Sequence, residues 1–122
     1  MRHVEKALHK LVEQYPESGK FSLTEPFSEN QFINIENVED VKGVAPIVSF
    51  HIQSDPISEV GVNGVQALDM LKYTKCLFES LNEAFPCREN SLTITKIEEA
   101  IHWQEARTKN RTNRGVEGKN QA

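Results

Sequence analysis

VQALDMLKYTKCLFESLNEAFPCRENSLTITKIEEAIHWQEARTKNR, from Val65 to Arg111, holds two apolar-periodic segments around a single proline. From Val65 to Phe85 there is neither glycine nor proline. Val65, Leu68, Met70, Leu71, Cys76, Leu77, Phe78, Leu81, Ala84 and Phe85 predict a helix with a broad apolar face. A face that wide asks for burial on more than one side. Pro86 ends the helix, because the residue before a proline is pushed out of the α region. A second helix is expected to start with Asn90 or Ser91 as its cap and to run to about Arg111. Its core stripe is Ile94, Ile97 and Ile101, with Ala100 and Trp103 alongside. So short a connection makes the two helices antiparallel neighbours.

Toward the N-terminus, Asn63-Gly64 reads as a hinge, with Asn63 able to cap the following helix by accepting a backbone N–H. Residues 20–63 are punctuated by Pro26, Gly43, Pro46, Pro56 and Gly61, which suits short strands. Phe32, Ile33 and Ile35 mark one. Ile47 to Ile52 mixes alternation with β-branched residues and is the clearest strand in the chain. Ile57 to Val62 is expected as its hairpin partner across Ser54-Asp55-Pro56. Val4, Ala7, Leu8, Leu11, Val12 and Tyr15 recur at helical spacing, so residues 2–15 read as an amphipathic helix stopped by Pro16 and the Ser18-Gly19 pair. The expected organisation is a single α+β domain over residues 1–122. It comprises an N-terminal helix (1–19), a small antiparallel β-sheet region (20–63), a long helical hairpin that forms the oligomer interface (64–113) and a flexible tail (114–122).

The 122 residues are 38% hydrophobic and 26% charged, with a net charge of −4. That composition permits a modest core and argues against wholesale disorder. No apolar run approaches the ~20 residues of a membrane span. The charged N-terminus does not resemble a signal peptide. Cys76 and Cys87 lack any paired metal or redox spacing and read as free thiols. His3, His9, His51 and His102 are scattered, and no metal site is expected. Glu98 and Glu99 near His102 lack an accompanying nucleophile. Neither a phosphate-binding G-x-x-x-x-G-K-[ST] loop nor a G-x-G-x-x-G fingerprint is present, so no cofactor is expected.

The charge is uneven. Residues 1–60 hold five Lys/Arg against ten Asp/Glu, whereas residues 61–122 hold nine against eight. Arg107, Lys109, Arg111 and Arg114 follow one another with no acid between them. Arg107, Arg111 and Arg114 stand at i, i+4 and i+7, which places three guanidinium groups along one helical face. Such groups match phosphate oxygens two at a time and stack on bases. The ordinary account is complementation of the helix dipole. Phe85 and Phe78 are ordinarily core residues, and Asn90 is ordinarily a cap. The antiparallel hairpin puts the arginines far from their own bend, Phe85 to Asn90. A second copy running the other way would bring its bend to them, giving a nucleotide pocket at a subunit boundary.

Two stretches carry a resemblance. PISEVGVNGVQ (Pro56–Gln66) and PCRENSLTITKIEEAIHWQEARTKNRTNRGVEG (Pro86–Gly118) resemble the phage anti-Thoeris sponge family, whose helical hairpin is shared with phage anti-CBASS cyclic-nucleotide sponges. The resemblance spans residues 46–118. It implies a protein without enzymatic activity that sequesters a TIR-derived cyclic ADP-ribose isomer in the cytoplasm of an infected bacterium, blocking effector activation. It also implies a homodimer, or a hexamer built as a trimer of dimers, with cyclic di- or trinucleotides bound in separate pockets in some members. By motif position it assigns Asn90, Arg107 and Arg111 to the ligand. Phe85 is the first choice for the aromatic partner and Phe78 the second, with Arg88 as a phosphate or second-pocket contact. The chain departs from the family at Asp55, where the family has glycine. The rivals are a sponge for cyclic di- or trinucleotides, an enzyme cleaving the same signal, and a DNA- or RNA-binding hairpin. DNA and membranes are not expected as partners.

Overall fold

The computed structural model describes residues 2–15, 33–40 and 43–113. In chain order these form α1 (Arg2–Gln14), β1 (Ile33–Asp40), β2 (Gly43–Phe50), α2 (Ile57–Val60), α3 (Ala67–Ala84) and α4 (Arg88–Asn113). The expected strand residue Phe32, the stops at Pro16 and Ser18-Gly19, Arg114 and the tail 114–122 lie outside the described residues.

α3 is the centre of the fold, and its broad apolar face has two occupants: α1 and α4 both pack against it. Ala7 and Leu11 of α1, both fully buried, meet Cys76 and Tyr73 of α3, with Leu8, Ile33 and Val65 completing the cluster. Removing a fully buried leucine such as Leu11 costs about 2–5 kcal/mol, because a cavity adds to the lost transfer energy. Polar contacts fix the α1 register. Tyr73 Oη donates to the Val4 carbonyl at 3.3 Å, Lys75 Nζ donates to Tyr15 Oη at 2.7 Å, and Lys10 pairs with Glu83. Lys72 and Lys75 both lie over the Tyr15 ring, at 4.5 and 4.9 Å from its centroid.

Among the described residues the β region is one two-stranded antiparallel ribbon, and the rest is mostly helical. Ile33 stands opposite Phe50 and Asp40 opposite Gly43. The pairing expected from the sequence is therefore corrected. The Ile47–Ile52 strand falls largely within β2, but its partner is β1, upstream, and not Ile57 to Val62. Ile57–Val60 is instead a single helical turn behind Pro56. Asp55, just before Pro56, takes φ 64°, in the left-handed region. Phe50 meets Tyr73 edge-on, at 5.7 Å between ring centroids, which ties the ribbon to α3.

Both helix starts also differ from expectation. α3 begins at Ala67. Asp69 Oδ2 accepts the Gln66 backbone N–H at 2.8 Å, one half of a capping box. Asn63 is not the cap. Its Oδ1 accepts the Ser54 N–H at 2.9 Å and its Nδ2 donates to Ser54 Oγ at 3.0 Å, closing the loop before α3. α4 begins at Arg88, earlier than Asn90 or Ser91 would place it. Cys87 is the residue before it, and Cys87 Sγ accepts the Asn90 N–H at 3.4 Å. Trp103 is no core residue: it is 71% exposed, whereas Ile101 is buried.

Candidate functional site

Phe85 closes α3 and Arg88 and Asn90 open α4 across the short bend; of the three, Phe85 alone lines the cavity at this end of α3. The Phe85 N–H donates to the Leu81 carbonyl at 2.8 Å, and its ring is 70% exposed. An exposed aromatic ring at a bend is available to stack on a ligand. Asn82 ties the bend: its Oδ1 accepts the Cys87 N–H at 3.1 Å and its Nδ2 donates to Ser91 Oγ at 3.4 Å. Because Cys87 takes the capping role, the Asn90 side chain is not used as a cap. Among the described residues, the Asn90 carboxamide has no hydrogen-bond partner and Arg88 has no ion pair. Both lie at the start of α4, where unsatisfied backbone N–H groups favour anions.

Phe78 stands two helical turns before Phe85, half-buried, and it does not line the cavity at the bend. Arg107 and Arg111 lie at the opposite end of α4. Arg107 is exposed, and Arg111 is buried to 9% exposure. With a rise of 1.5 Å per residue, Asn90 and Arg107 are about 26 Å apart along the helix. One chain therefore does not bring the two sets together. Phe85, Arg88 and Asn90 lie at and beside the bend, Arg107 and Arg111 near the far end of α4.

Two features escaped the sequence reading. The first is a cavity of about 380 Å³ at the bend, lined by His3, Lys6, Glu83, Ala84 and Phe85. His3 sits 6.4 Å from Phe85 between ring centroids, tilted by 57°. Its Nδ1 lies 3.5 Å from the buried Ser80 Oγ. Glu83 is held below the usual carboxylate range by its hydrogen bond to Lys10. The signal was available, since His3, Lys6 and Lys10 fall at i, i+3 and i+7 on one face of α1. The second is a groove of about 640 Å³ between α3 and α4, lined mainly by Met70, Leu71, Thr74, Ala100, Trp103 and Gln104. Trp103 is one turn before Arg107 on the same face, a spacing the sequence displays. Among the described residues no group of His, Cys, Asp or Glu is placed to hold a metal ion. Nor is any helix there long and apolar enough to cross a membrane.

Comparison with known proteins places the hairpin. Residues 47–109 match the family described as Acb2/Tad1, hairpin domain, a stretch running from within β2 to near the end of α4. The chain is also 42% identical over 82 residues to "Thoeris anti-defense 1" of Bacillus phage SBSphiJ7. That alignment covers 66% of this chain and 56% of the phage protein, so the chain spans little more than half of its relative's length. With the matched region covering just over half of its residues and ending beside Arg111, the chain belongs to the Acb2/Tad1 hairpin-domain family.

Proposed function

We propose that this chain captures a TIR-derived cyclic ADP-ribose isomer and holds it without degrading it, so that a phage carrying it silences a host defence signal. The site is built between two copies. Phe85 of one copy stacks on the base, and Asn90 reads a polar edge. Arg107 and Arg111 of the other copy grip the phosphates, and Arg88 adds a further cation. Phe78, the alternative aromatic, lies deeper on the same helix. The capture takes place in the cytoplasm of the infected cell, and the assembly is a homodimer or a trimer of such dimers.

The observation that carries the reading is the division of the site. An exposed aromatic with an unpartnered amide stands at one end of the hairpin, and an arginine pair stands about 26 Å away at the other. Neither half encloses an anion alone. Two antiparallel copies would join them and shield charge-assisted bonds from water, where such bonds are strongest. The name of the phage relative supports the defence context, and the matched hairpin supports the architecture. Stoichiometric capture needs a preformed pocket and no labile catalytic geometry.

The test separates capture from cleavage. Incubated with a cyclic ADP-ribose isomer and then heat-denatured, the protein returns the ligand intact, and Arg107→Ala takes up none while keeping its melting temperature. Recovery of hydrolysed products would make the chain an enzyme, and normal ligand uptake by Arg107→Ala would remove the arginine end from the site.

A further inference from the structure

The hairpin is not the only element at the bend. α1 reaches Phe85 and closes one side of the cavity there, although α1 lies outside the stretch that matches the family. We infer that α1 supplies a wall of the nucleotide pocket, His3 and Lys6 binding a phosphate of the ligand whose base lies on Phe85. This inference rests on the reading of the bend as half of a nucleotide site.

Charge makes the case first. Lys6 and Lys10 both favour the charged form of the Glu83 carboxylate, and Glu79, one turn earlier on α3, acts on Lys10. Lys10 takes the Glu83 carboxylate in an ion pair. Lys6, exposed and on the cavity wall, makes no ion pair among the described residues. The cavity wall therefore offers a cation outside any ion pair, beside an exposed ring and next to a carboxylate already taken by Lys10. That pairing of cation and aromatic suits a phosphate joined to a base.

Orientation makes the case second. Ser80 is almost completely buried, and its Oγ lies beside His3 Nδ1. This contact holds one edge of the imidazole toward α3. Among the described residues the other ring nitrogen, Nε2, has no hydrogen-bond partner. The imidazole therefore lies with one edge against Ser80 and leaves Nε2 available to a ligand in the cavity. The cavity volume of about 380 Å³ admits one nucleotide unit, near the lower end of the ~300–1,000 Å³ typical of small-molecule sites. Because α1 is separate from the shared hairpin, its residues can set ligand preference without altering the hairpin itself.

Calorimetry on the full chain with a panel of cyclic ADP-ribose isomers tests this, with a parallel titration of adenosine diphosphate followed by NMR. Lys6→Ala is expected to weaken binding of the cyclic ligand at least about tenfold, the loss of one charged hydrogen bond. Lys6→Arg should keep most of the affinity, and His3→Ala should weaken binding comparably. If His3→Ala unfolds the protein, the exposed Lys6 pair carries the test alone. Wild-type affinity in Lys6→Ala, with binding still lost in Arg107→Ala, would overturn the role of α1 and leave the two-copy site standing. If the unaltered chain takes up no cyclic ADP-ribose isomer, the proposed function fails and the diphosphate titration decides the pocket. Shifts at His3 and Phe85 that disappear in Lys6→Ala would then support it, and no shifts would refute it.

Discussion

Gly64 lies against the backbone of His51 so closely that a Cβ on it would stand 2.5 Å from the His51 carbonyl oxygen. The same Cβ would come within 2.6 Å of the Gln53 nitrogen. The contact exists because Val65 N–H donates to the His51 carbonyl at 2.7 Å and Gln53 N–H donates to the Val65 carbonyl at 2.8 Å. Gln53 seals the loop with its own side chain. Its Oε1 accepts the Asn63 N–H at 2.9 Å, and its Nε2 donates to the Gly61 carbonyl at 3.0 Å. These bonds deliver the chain from β2 to α3 in one fixed path.

Gly64→Ala is therefore expected to destabilise the fold by about 3 kcal/mol, since the added carbon meets backbone and not a mobile side chain. Urea unfolding followed by helical circular dichroism measures it. A loss below about 0.5 kcal/mol, the level of an ordinary surface change, would refute the close approach.

Asp55 occupies the left-handed region at φ 64°, where an aspartate is tolerated and a β-branched residue is strained. Asp55→Val should cost roughly 1–2 kcal/mol, and Asp55→Gly should be neutral or slightly stabilising. The glycine that the resemblance leads one to expect at this position would take the same backbone conformation without strain. Equal melting temperatures for the valine and glycine variants would contradict that account.

Alkaline pH should unfold the protein early. Burial pushes the Cys76 thiol from 9.0 up to about 11. Burial likewise pushes the Tyr73 hydroxyl from 10.0 to about 12. In each case the native chain holds its proton at pH values where the unfolded chain releases it. Stability is therefore full below about pH 9 and falls as the pH rises through 11 and 12. Tyr73→Phe should flatten the fall above pH 10. A stability profile that is level from pH 8 to 12 would be inconsistent with these buried groups. In the same range of reagents, a thiol label at neutral pH should mark the exposed Cys87 and spare the buried Cys76 until the protein is denatured.

Much of the helical frame was legible because its periodicity is long. Val4, Ala7, Leu8 and Leu11 announced α1, and the Pro86 break announced the hairpin. The caps were not legible: a cysteine accepting a backbone N–H at Cys87 has no strong sequence signal, and it displaced Asn90 from the role its residue type suggests. The β pairing was misread because short strands with alternation fit several partners; in the structure β2 pairs with β1, and Ile57–Val60 winds into a helical turn behind Pro56. Trp103 was read as core since its spacing touches the Ile94–Ile101 stripe, and spacing alone does not say which edge of a stripe is left in water. The ends of the candidate site were readable as residue types in order. That α1 reaches Phe85 was not, because a contact between His3 and residue 85 is set by tertiary packing and not by local pattern.

The most direct measurement of the two-copy site is complementation. Phe85→Ala and Arg107→Ala each destroy one half of every site when present alone. Refolded together, random pairing makes half of the dimers mixed, and each mixed dimer holds one intact site of two, restoring about a quarter of the wild-type capacity for a cyclic ADP-ribose isomer. Recovery near that level is the expected result; a mixture that binds no more ligand than either variant alone would contradict a pocket shared between chains.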